Sequence, residues 1–196
     1  MPKKVDHEQR RTRIAEALWG IAASRGLEAV SMREVATAAG MSIGLVQHYF
    51  ASKDEMLLYA TVLLRDRLSE RLRHGLAGME SAAPRDVLRA LLVTLLPLDA
   101  EARTETLVGV AVFIRALNDE TLAARYREGQ TRLAAAVAGC LQGLTTDPGT
   151  AADTLLALVD GLASGLLLGH HTPEHAISIL DRQISQMTES SVRLTE

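Results

Sequence analysis

The amino-acid sequence predicts an all-α fold. Hydrophobic residues make up 47% of the 196 residues but aromatic residues only 3%, so the core must be built mainly from Leu, Ala, Val and Ile. Leu and Ala favour helices. Apolar residues recur at helical spacing, and most of the five prolines fall where helices would start or stop.

The stretch from Val30 to Lys53 predicts two short helices joined by a tight turn. Ser31, with Glu34 three residues later, forms a capping box, the pattern that begins a helix. Gly40 falls where this helix must end, because glycine tolerates a positive φ. Ser42 can then cap a second short helix.

Two short capped helices around a glycine-containing turn are typical of a helix-turn-helix. In such a unit the second helix enters the DNA major groove and its first residues meet the base edges. The spacing alone also fits an ordinary corner between two helices, because this shape occurs as plain scaffolding.

Within residues 10–58 the pattern AxxxGxxxxSMREVAxxAGMSxGLVxHYFxSKxExL resembles the N-terminal domain of the TetR/AcrR family of transcriptional regulators. One departure is Gln47, where that family very often has a tyrosine that touches phosphate. The matching residues are Ala22, Gly26, Ser31, Arg33, Val35, Ala36, Ala39, Gly40, Ser42, His48, Tyr49, Phe50, Ser52, Lys53 and Leu57.

Resemblance and chemistry together predict the DNA-contacting residues. The Gln47 amide can pair with adenine, and Val46 or Ile43 could touch a thymine methyl. Tyr49, His48 and Lys53 resemble positions that clamp phosphate, which sets register rather than sequence. The full set is Arg33, Ser42, Ile43, Gly44, Val46, Gln47, His48, Tyr49 and Lys53.

The segment before the helix-turn-helix predicts an amphipathic helix. Its apolar residues Ile14, Leu18, Ile21 and Ala22 lie on one face, and Gly26 follows its end. Residues 1–8 are expected to fray. The basic residues at positions 10, 11 and 13 could contact phosphate or could form a solvated face.

After the helix-turn-helix, one long helix is predicted from Lys53, which follows a Ser52–Glu55 capping pair, to about Gly75. We therefore divide the chain into a DNA-binding domain, residues 1–53, and an effector-binding and dimerisation domain, residues 54–196. Capping residues and prolines predict further helices, about nine in all, near residues 84–96, 101–117, 120–144, 148–168 and 173–187.

The larger domain is expected to enclose a small-molecule effector, because the resemblance implies one. The segment LVGVAVFIRAL is apolar around most of its circumference and must be buried, with Leu107, Val110, Ala111, Ile114 and Leu117 expected to face inward. Ordinary core packing explains the same residues equally well. The candidate pocket residues are Leu92, Leu107, Ala111, Phe113, Ile114, Leu117 and Tyr126.

The last two predicted helices suggest a dimer interface. The segment LLALVDGLASGLLLG resembles the corresponding helix of the BetI-like branch of the family, and two such helices from each subunit would form a four-helix bundle. A purely monomeric core is the alternative, and Asp160 is unusual in either. The predicted interface residues are Leu155, Val159, Leu162, Leu166, Ile177, Leu180 and Ile184.

Charge and composition limit the possible functions. The net charge is −3, but residues 1–50 carry seven basic and five acidic residues, so this part has a charge of +2 and the remainder −5. A small basic unit on an acidic body suits a modular DNA-binding regulator. The cluster His170, His171 and His175 has no carboxylate or thiol at ligand spacing, so no metal site is predicted.

The single cysteine, Cys140, fits a reducing cytoplasm, and neither a signal-peptide pattern nor an apolar run of 18 residues is found. We therefore expect a cytoplasmic, dimeric, ligand-responsive transcriptional regulator, acting as a repressor on a near-palindromic operator. Its expected partners are double-stranded DNA, a second copy and an unidentified small molecule, with no cofactor and no membrane.

The alternative is an all-helical enzyme or small-molecule carrier that reuses the same shape. A third possibility is a structural or partner-binding helical protein. No nucleophile elbow, P-loop, HExxH or dinucleotide fingerprint supports catalysis, so no catalytic residue is predicted.

Overall fold

A computed structural model describes the backbone of residues 2–192 and the side chains of residues 7–188. Within this range the chain is all-α, as predicted, with nine α-helices, one short 3-10 turn at Leu27–Ala29 and no strand. The helices are α1 Pro2–Arg25, α2 Met32–Ala39, α3 Ile43–Tyr49, α4 Lys53–Gly75, α5 Pro84–Thr94, α6 Ala100–Ala116, α7 Glu120–Cys140, α8 Pro148–Leu167 and α9 Pro173–Val192.

Most helix bounds agree with the prediction to within two residues, and the largest differences lie at three helix ends. Helix α1 already begins at Pro2, so the expected fraying of residues 1–8 is wrong for the described backbone from residue 2 onward. Helix α7 ends four residues before the predicted end at Leu144, and α9 continues five residues beyond Met187.

Local side-chain caps begin the helices of the helix-turn-helix. The hydroxyl groups of Ser31, Ser42 and Ser52 each accept a hydrogen bond from the backbone N–H three residues later, over 3.2, 3.2 and 3.1 Å. These bonds satisfy amides that the first turn of a helix leaves without a partner. The three predicted caps are therefore confirmed.

The reciprocal halves of the two capping boxes differ. The Glu55 carboxylate accepts a bond from the Ala51 N–H over 2.7 Å, one residue before the expected amide. The Glu34 carboxylate instead accepts a bond from the Arg25 guanidinium, over 2.6 Å. Glu34 thus joins α2 to α1, a contact between helices that local sequence spacing does not predict.

The chain forms two compact units. Unit 1 comprises Met1–Arg67 and Thr104–Ala124, and unit 2 comprises Leu68–Arg103 and Arg125–Glu196. The boundaries fall inside α4 and near the start of α6 and α7. These units describe packing, so the functional division after residue 53 stays a prediction.

Unit 1 has one hydrophobic core. Buried side chains converge from α1, α2, α3, α4 and α6, and examples from the first four are Leu18, Val35, Val46 and Met56. Phe50, at the end of α3, is also buried in this core. Helix α3 is thus held by residues that precede and follow it in the sequence by many positions.

The buried face of α6 differs from the predicted one. Val108, Val112 and Ala116 are buried, whereas Ile114 is 56% exposed and Leu117 is 67% exposed. The expectation that Val110, Ile114 and Leu117 face inward is therefore wrong. The prediction failed because the second half of α6 is apolar on most faces, so periodicity alone does not select the buried one.

Unit 2 has its own core, formed by α5, α7, α8 and α9. Six of the seven predicted dimer-interface residues are buried there within the single chain: Leu155, Val159, Leu162, Leu166, Leu180 and Ile184. Only Ile177 is half-buried. The prediction is wrong for these six residues, because a side chain already enclosed by its own chain offers no surface to a partner.

By length and composition alone, α8 could cross a membrane. However, six of its residues are buried in the core of unit 2, including Ala152, Leu155 and Leu162. The core helix of a folded domain has the same composition. The packing of α8 thus accounts for the apolar residues on its buried face.

Candidate DNA-binding site

The turn between α2 and α3 depends on Gly40. This residue has φ of 65° and ψ of 38°, and its N–H donates hydrogen bonds to the carbonyls of Ala36 and Thr37. The left-handed conformation is costly for residues that carry a Cβ. Gly40 therefore ends α2 and lets the chain turn into α3.

Helix α3 presents an exposed outer face. Ile43, Gly44, Gln47 and His48 are exposed, and Ser42 caps the helix N-terminus through its hydroxyl. Four predicted contact residues thus lie on the accessible side of a capped helix. Their side chains are free of the core and can approach a ligand.

Val46 does not belong to this surface. It is fully buried in the core of unit 1, where it anchors α3 against the other helices. The suggestion that Val46 touches a thymine methyl is therefore wrong, and Ile43 is the apolar residue of α3 that remains available. Val46 follows Ile43 by three residues, and only the packing of α3 shows that they differ in exposure.

The C-terminal end of α3 carries a row of aromatic rings. Tyr49 is half-buried, and its ring lies 4.6 Å from that of His7 on α1 and 5.3 Å from that of His48, between ring centroids. Both imidazoles are exposed. Sequence reasoning singled out Tyr49 and His48 but missed His7, whose approach depends on how α1 packs.

The two predicted basic contacts have different settings. Arg33 is exposed on α2. Lys53 is half-buried, and its ammonium donates a hydrogen bond to the Leu27 carbonyl over 3.0 Å. Lys53 therefore also ties the start of α4 to the 3-10 turn, a structural role that the sequence did not indicate.

Arg11 supports the site from inside unit 1. Its guanidinium carbon lies 4.6 Å from the ring centroid of Phe50 and 4.5 Å from that of Tyr59, and its Nη2 lies 3.9 Å from the Glu55 carboxylate. The hydroxyl of Tyr59 donates a 2.5 Å hydrogen bond to Glu8. Arg11 thus joins α1 to the end of α3 and to α4.

Burial and the neighbouring Glu8 carboxylate, which accepts its hydrogen bond, raise the pKa of the Tyr59 hydroxyl above its ordinary value. The phenol therefore stays protonated at neutral pH and continues to donate to Glu8. The first helix is held to α4 by this bond and by the stacked Arg11.

The predicted effector residues occupy different settings. Leu92 is buried in the core of unit 2. Tyr126, also in unit 2, is half-buried and accepts a hydrogen bond from the Gln130 amide over 3.2 Å. On α6, Leu107 and Ala111 are half-buried, whereas Phe113 is exposed. The pocket itself stays a prediction.

The three histidines near the end of α8 are close together. The ring centroids of His170 and His171 are 5.1 Å apart, and those of His171 and His175 are 5.4 Å apart. Among the described residues, no group of three or more His, Cys, Asp or Glu side chains has an arrangement that could hold a metal ion.

Taken together, a capped recognition helix with an exposed outer face, a glycine turn and a buried anchor define a helix-turn-helix DNA-binding module. Comparison with protein families agrees. Residues 14–60 match the model for bacterial regulatory proteins of the tetR family, and residues 84–189 match the C-terminal model of BetI-type transcriptional repressors. The chain belongs to the TetR family of bacterial transcriptional regulators.

Two curated relatives extend over most of the chain. The HTH-type transcriptional regulator PksA of Bacillus subtilis is 31% identical over 173 residues, covering 86% of this chain and 83% of the relative. The HTH-type transcriptional regulator BetI of Burkholderia mallei is 32% identical over 168 residues, covering 83% and 84% respectively.

Solved structures share the fold. A transcriptional regulator from Rhodococcus sp. Rha1 is 37% identical, with a TM-score of 0.83, and the match covers 92% of this chain and 97% of that one. A regulator from Saccharomonospora viridis, solved in complex with choline, is 26% identical with a TM-score of 0.80, covering 91% and 96%.

Proposed function

We propose that the protein is a dimeric repressor that binds a near-palindromic operator and releases it when a small-molecule effector binds. The observation that carries this proposal is the outer face of α3, where Ile43, Gln47 and His48 are exposed while Val46 is held in the core. A rigid helix with exposed readers on one side suits the DNA major groove.

Base reading falls to two residues of α3. The amide of Gln47 can both accept from and donate to one adenine edge, and the methyl groups of Ile43 can pack against a thymine methyl. Arg33, exposed on α2, can approach the same segment of DNA. Gln47 thus supplies the main sequence preference.

Phosphate contacts fall to Tyr49, His48 and Lys53. The Lys53 ammonium has three N–H donors, and one of them already binds the Leu27 carbonyl. The other two can bind a phosphate without breaking that internal bond. Lys53 is therefore pre-positioned, which lowers the entropy cost of fixing its side chain on DNA.

Dimerisation uses the outward face of α8 rather than the buried residues first predicted. The exposed positions along α8 and its end follow one helical stripe: Ala157, Asp160, Gly161, Ser164 and Leu168. Small residues allow close approach of a second helix, and Leu168 is 86% exposed. A two-fold axis through this face would pair it with itself.

The effector acts on the larger domain, and its chemical identity is open. A related regulator was solved in complex with choline, which supports a small-molecule effector for this protein. Helix α4 is one continuous helix that begins at Lys53, next to the recognition helix. An effector that binds one position of α4 better than another would shift the balance between DNA-binding and released states. The protein acts in the cytoplasm, where bacterial DNA lies.

The decisive experiment is selection of genomic fragments by the purified protein at about 0.15 M salt, followed by footprinting. We expect one protected near-palindrome whose half-sites are about one helical turn or slightly more apart. Gln47→Ala should cost about 1–3 kcal/mol and relax the preference at one base pair. Lys53→Ala should weaken binding to all sequences and lower the salt slope by about 1.

Gln142→Ala is the matched control, because Gln142 is an exposed glutamine after α7, outside the proposed site. It should leave DNA binding unchanged. If neither Gln47→Ala nor Lys53→Ala alters binding, the reader is misplaced. Any bound small molecule should also be extracted and the binding measured again. If the protein still binds DNA only weakly and without sequence preference, the enzyme or carrier alternative is favoured.

A further inference from the structure

His7 lies outside the helix-turn-helix but beside its recognition helix. Its imidazole is exposed and packs against the Tyr49 ring, with 4.6 Å between centroids. On the same end of α3, the exposed His48 imidazole lies 5.3 Å from the Tyr49 ring. His7, Tyr49 and His48 thus form one aromatic row that is built from two helices.

The row offers more than packing. The Tyr49 ring packs against the hydrophobic core of unit 1, while the two imidazoles are exposed to solvent. A phenol and two imidazoles each carry a hydrogen-bond donor.

Among the described residues of α1, Glu8 and Arg11 are charged side chains close to His7 in sequence. The neighbouring Glu8 carboxylate accepts a hydrogen bond from the Tyr59 hydroxyl and is thereby bound to α4. One turn further along α1, Arg11 stacks on Phe50 and Tyr59. His7 therefore lies next to a carboxylate that is hydrogen-bonded to α4 and one helical turn from a cation that is stacked on two aromatic rings.

We propose that His7 is a further DNA-contacting residue, which binds a backbone phosphate in a row with Tyr49 and His48. The proposal rests on the proposed function, since it places the phosphate at the C-terminal end of the recognition helix α3. Donors from imidazole and phenol groups to phosphate oxygens fix the register of a protein on DNA. His7 thus extends the DNA contact surface from the helix-turn-helix to α1.

The test uses the full-length protein and the selected operator. His7→Phe keeps a ring against Tyr49 but removes both nitrogen atoms, whereas His7→Gln restores an N–H donor without the ring. His74→Phe is the matched control, because His74 is an exposed histidine in the last turn of α4. Fluorescence of the single tryptophan, Trp19, which is buried in unit 1, reports whether each variant is folded.

Single phosphates of the operator are replaced in turn by neutral methylphosphonates. For the wild type we expect the replacement at one phosphate per half-site to weaken binding. His7→Phe should bind the unmodified operator about 3- to 10-fold more weakly, because one hydrogen bond is lost. Its binding should not change when the sensitive phosphate is replaced. His7→Gln should recover part of the affinity and the sensitivity, and His74→Phe should behave as the wild type.

Three results would overturn the proposal. If His7→Phe is folded and binds as tightly as the wild type, with the same sensitive phosphates, the contact between His7 and phosphate is refuted. Weakening by His7→Gln but not by His7→Phe, with a shifted Trp19 unfolding curve for His7→Gln, shows packing alone. If the wild type binds no specific sequence, the proposed function is refuted together with this inference. If Gln47→Ala loses its base preference but His7→Phe binds DNA as the wild type does, only this inference is refuted.

Discussion

Replacing Gly40 with alanine tests how the turn of the helix-turn-helix is held. Gly40 has φ of 65°, and an ideal Cβ placed on it would meet its nearest neighbour, Nη2 of Arg13, at 3.4 Å, which is ordinary contact distance. Sterically the side chain fits, so the cost comes from the backbone. Holding a residue with a Cβ in the left-handed region costs about 1–2 kcal/mol.

Gly20→Ala is the matched control in the same unit. Gly20 lies inside α1, is exposed, and has no atom within 4 Å of an ideal Cβ. A glycine in a helix interior costs roughly 0.5–1 kcal/mol relative to alanine, so this substitution should stabilise unit 1. The same chemical change is thus expected to have opposite signs at the two positions.

The assay is urea unfolding followed by the fluorescence of Trp19, which is 3% exposed and belongs to the core of unit 1. With a slope of about 2 kcal/mol per molar urea, the midpoint of Gly40→Ala should fall by about 0.5–1 M. That of Gly20→Ala should rise by about 0.3–0.5 M. An unchanged or higher midpoint for Gly40→Ala, together with a raised one for Gly20→Ala, would refute the left-handed turn.

Three further changes test other parts of the molecule. Arg11→Met removes the stacking on Phe50 and Tyr59 and should destabilise unit 1 by about 1–2 kcal/mol in the same urea assay. The hydrogen bond from Thr150 lowers the pKa of Asp147 below its ordinary value of 3.8. The capping of α8 by Asp147 therefore stabilises the fold fully above pH 3.8, and this stabilisation is lost as the pH falls through the lower pKa of the folded state. The difference in stability between the wild type and Asp147→Ala, followed by circular dichroism, should shrink in that acidic window. Desolvation raises the pKa of the exposed Asp160, so ionisation is unfavourable in the fold, and Asp160→Asn should be more stable than the wild type at pH 7 but not below pH 3.8.

Each of these changes has an outcome that contradicts it. Arg33→Met is the control for Arg11→Met, because Arg33 is exposed on α2 and its loss should leave the urea midpoint unchanged. Equal effects of the two would mean that the stacking on the aromatic rings contributes nothing. A constant difference between wild type and Asp147→Ala across the acidic range would dismiss a charged cap, and an Asp160→Asn variant less stable at pH 7 would show that the carboxylate makes a favourable contact.

The helices and their caps could be predicted because they depend on residues close together in sequence. The Ser42 cap needs only an amide three residues away, and Asp147 followed by Pro148 marks the start of α8 in the same way. The positions of Gln47 and His48 on the recognition helix follow from the same local pattern. Local hydrogen bonds and fixed helical spacing leave few alternatives.

Several residues could not be assigned this way. The exposed Ile43 and the buried Val46 are both apolar residues of α3, and only the arrangement of the surrounding helices distinguishes them. Glu34 has the spacing of a capping box, yet its carboxylate bonds to Arg25 on α1. Such choices depend on partners that lie far away in sequence or on another helix.

The sequence by itself determined the all-α class, the helix starts, the glycine turn and the membership of the TetR family. Only the tertiary structure decided which faces of α6 and α8 are buried, that Leu155 and Leu180 belong to the core of the single chain, and that His7 and Arg11 approach the end of α3. A helix that is apolar on most sides has no single preferred face. The face that is buried is set by the neighbouring helices, and those contacts join residues that are distant in the sequence.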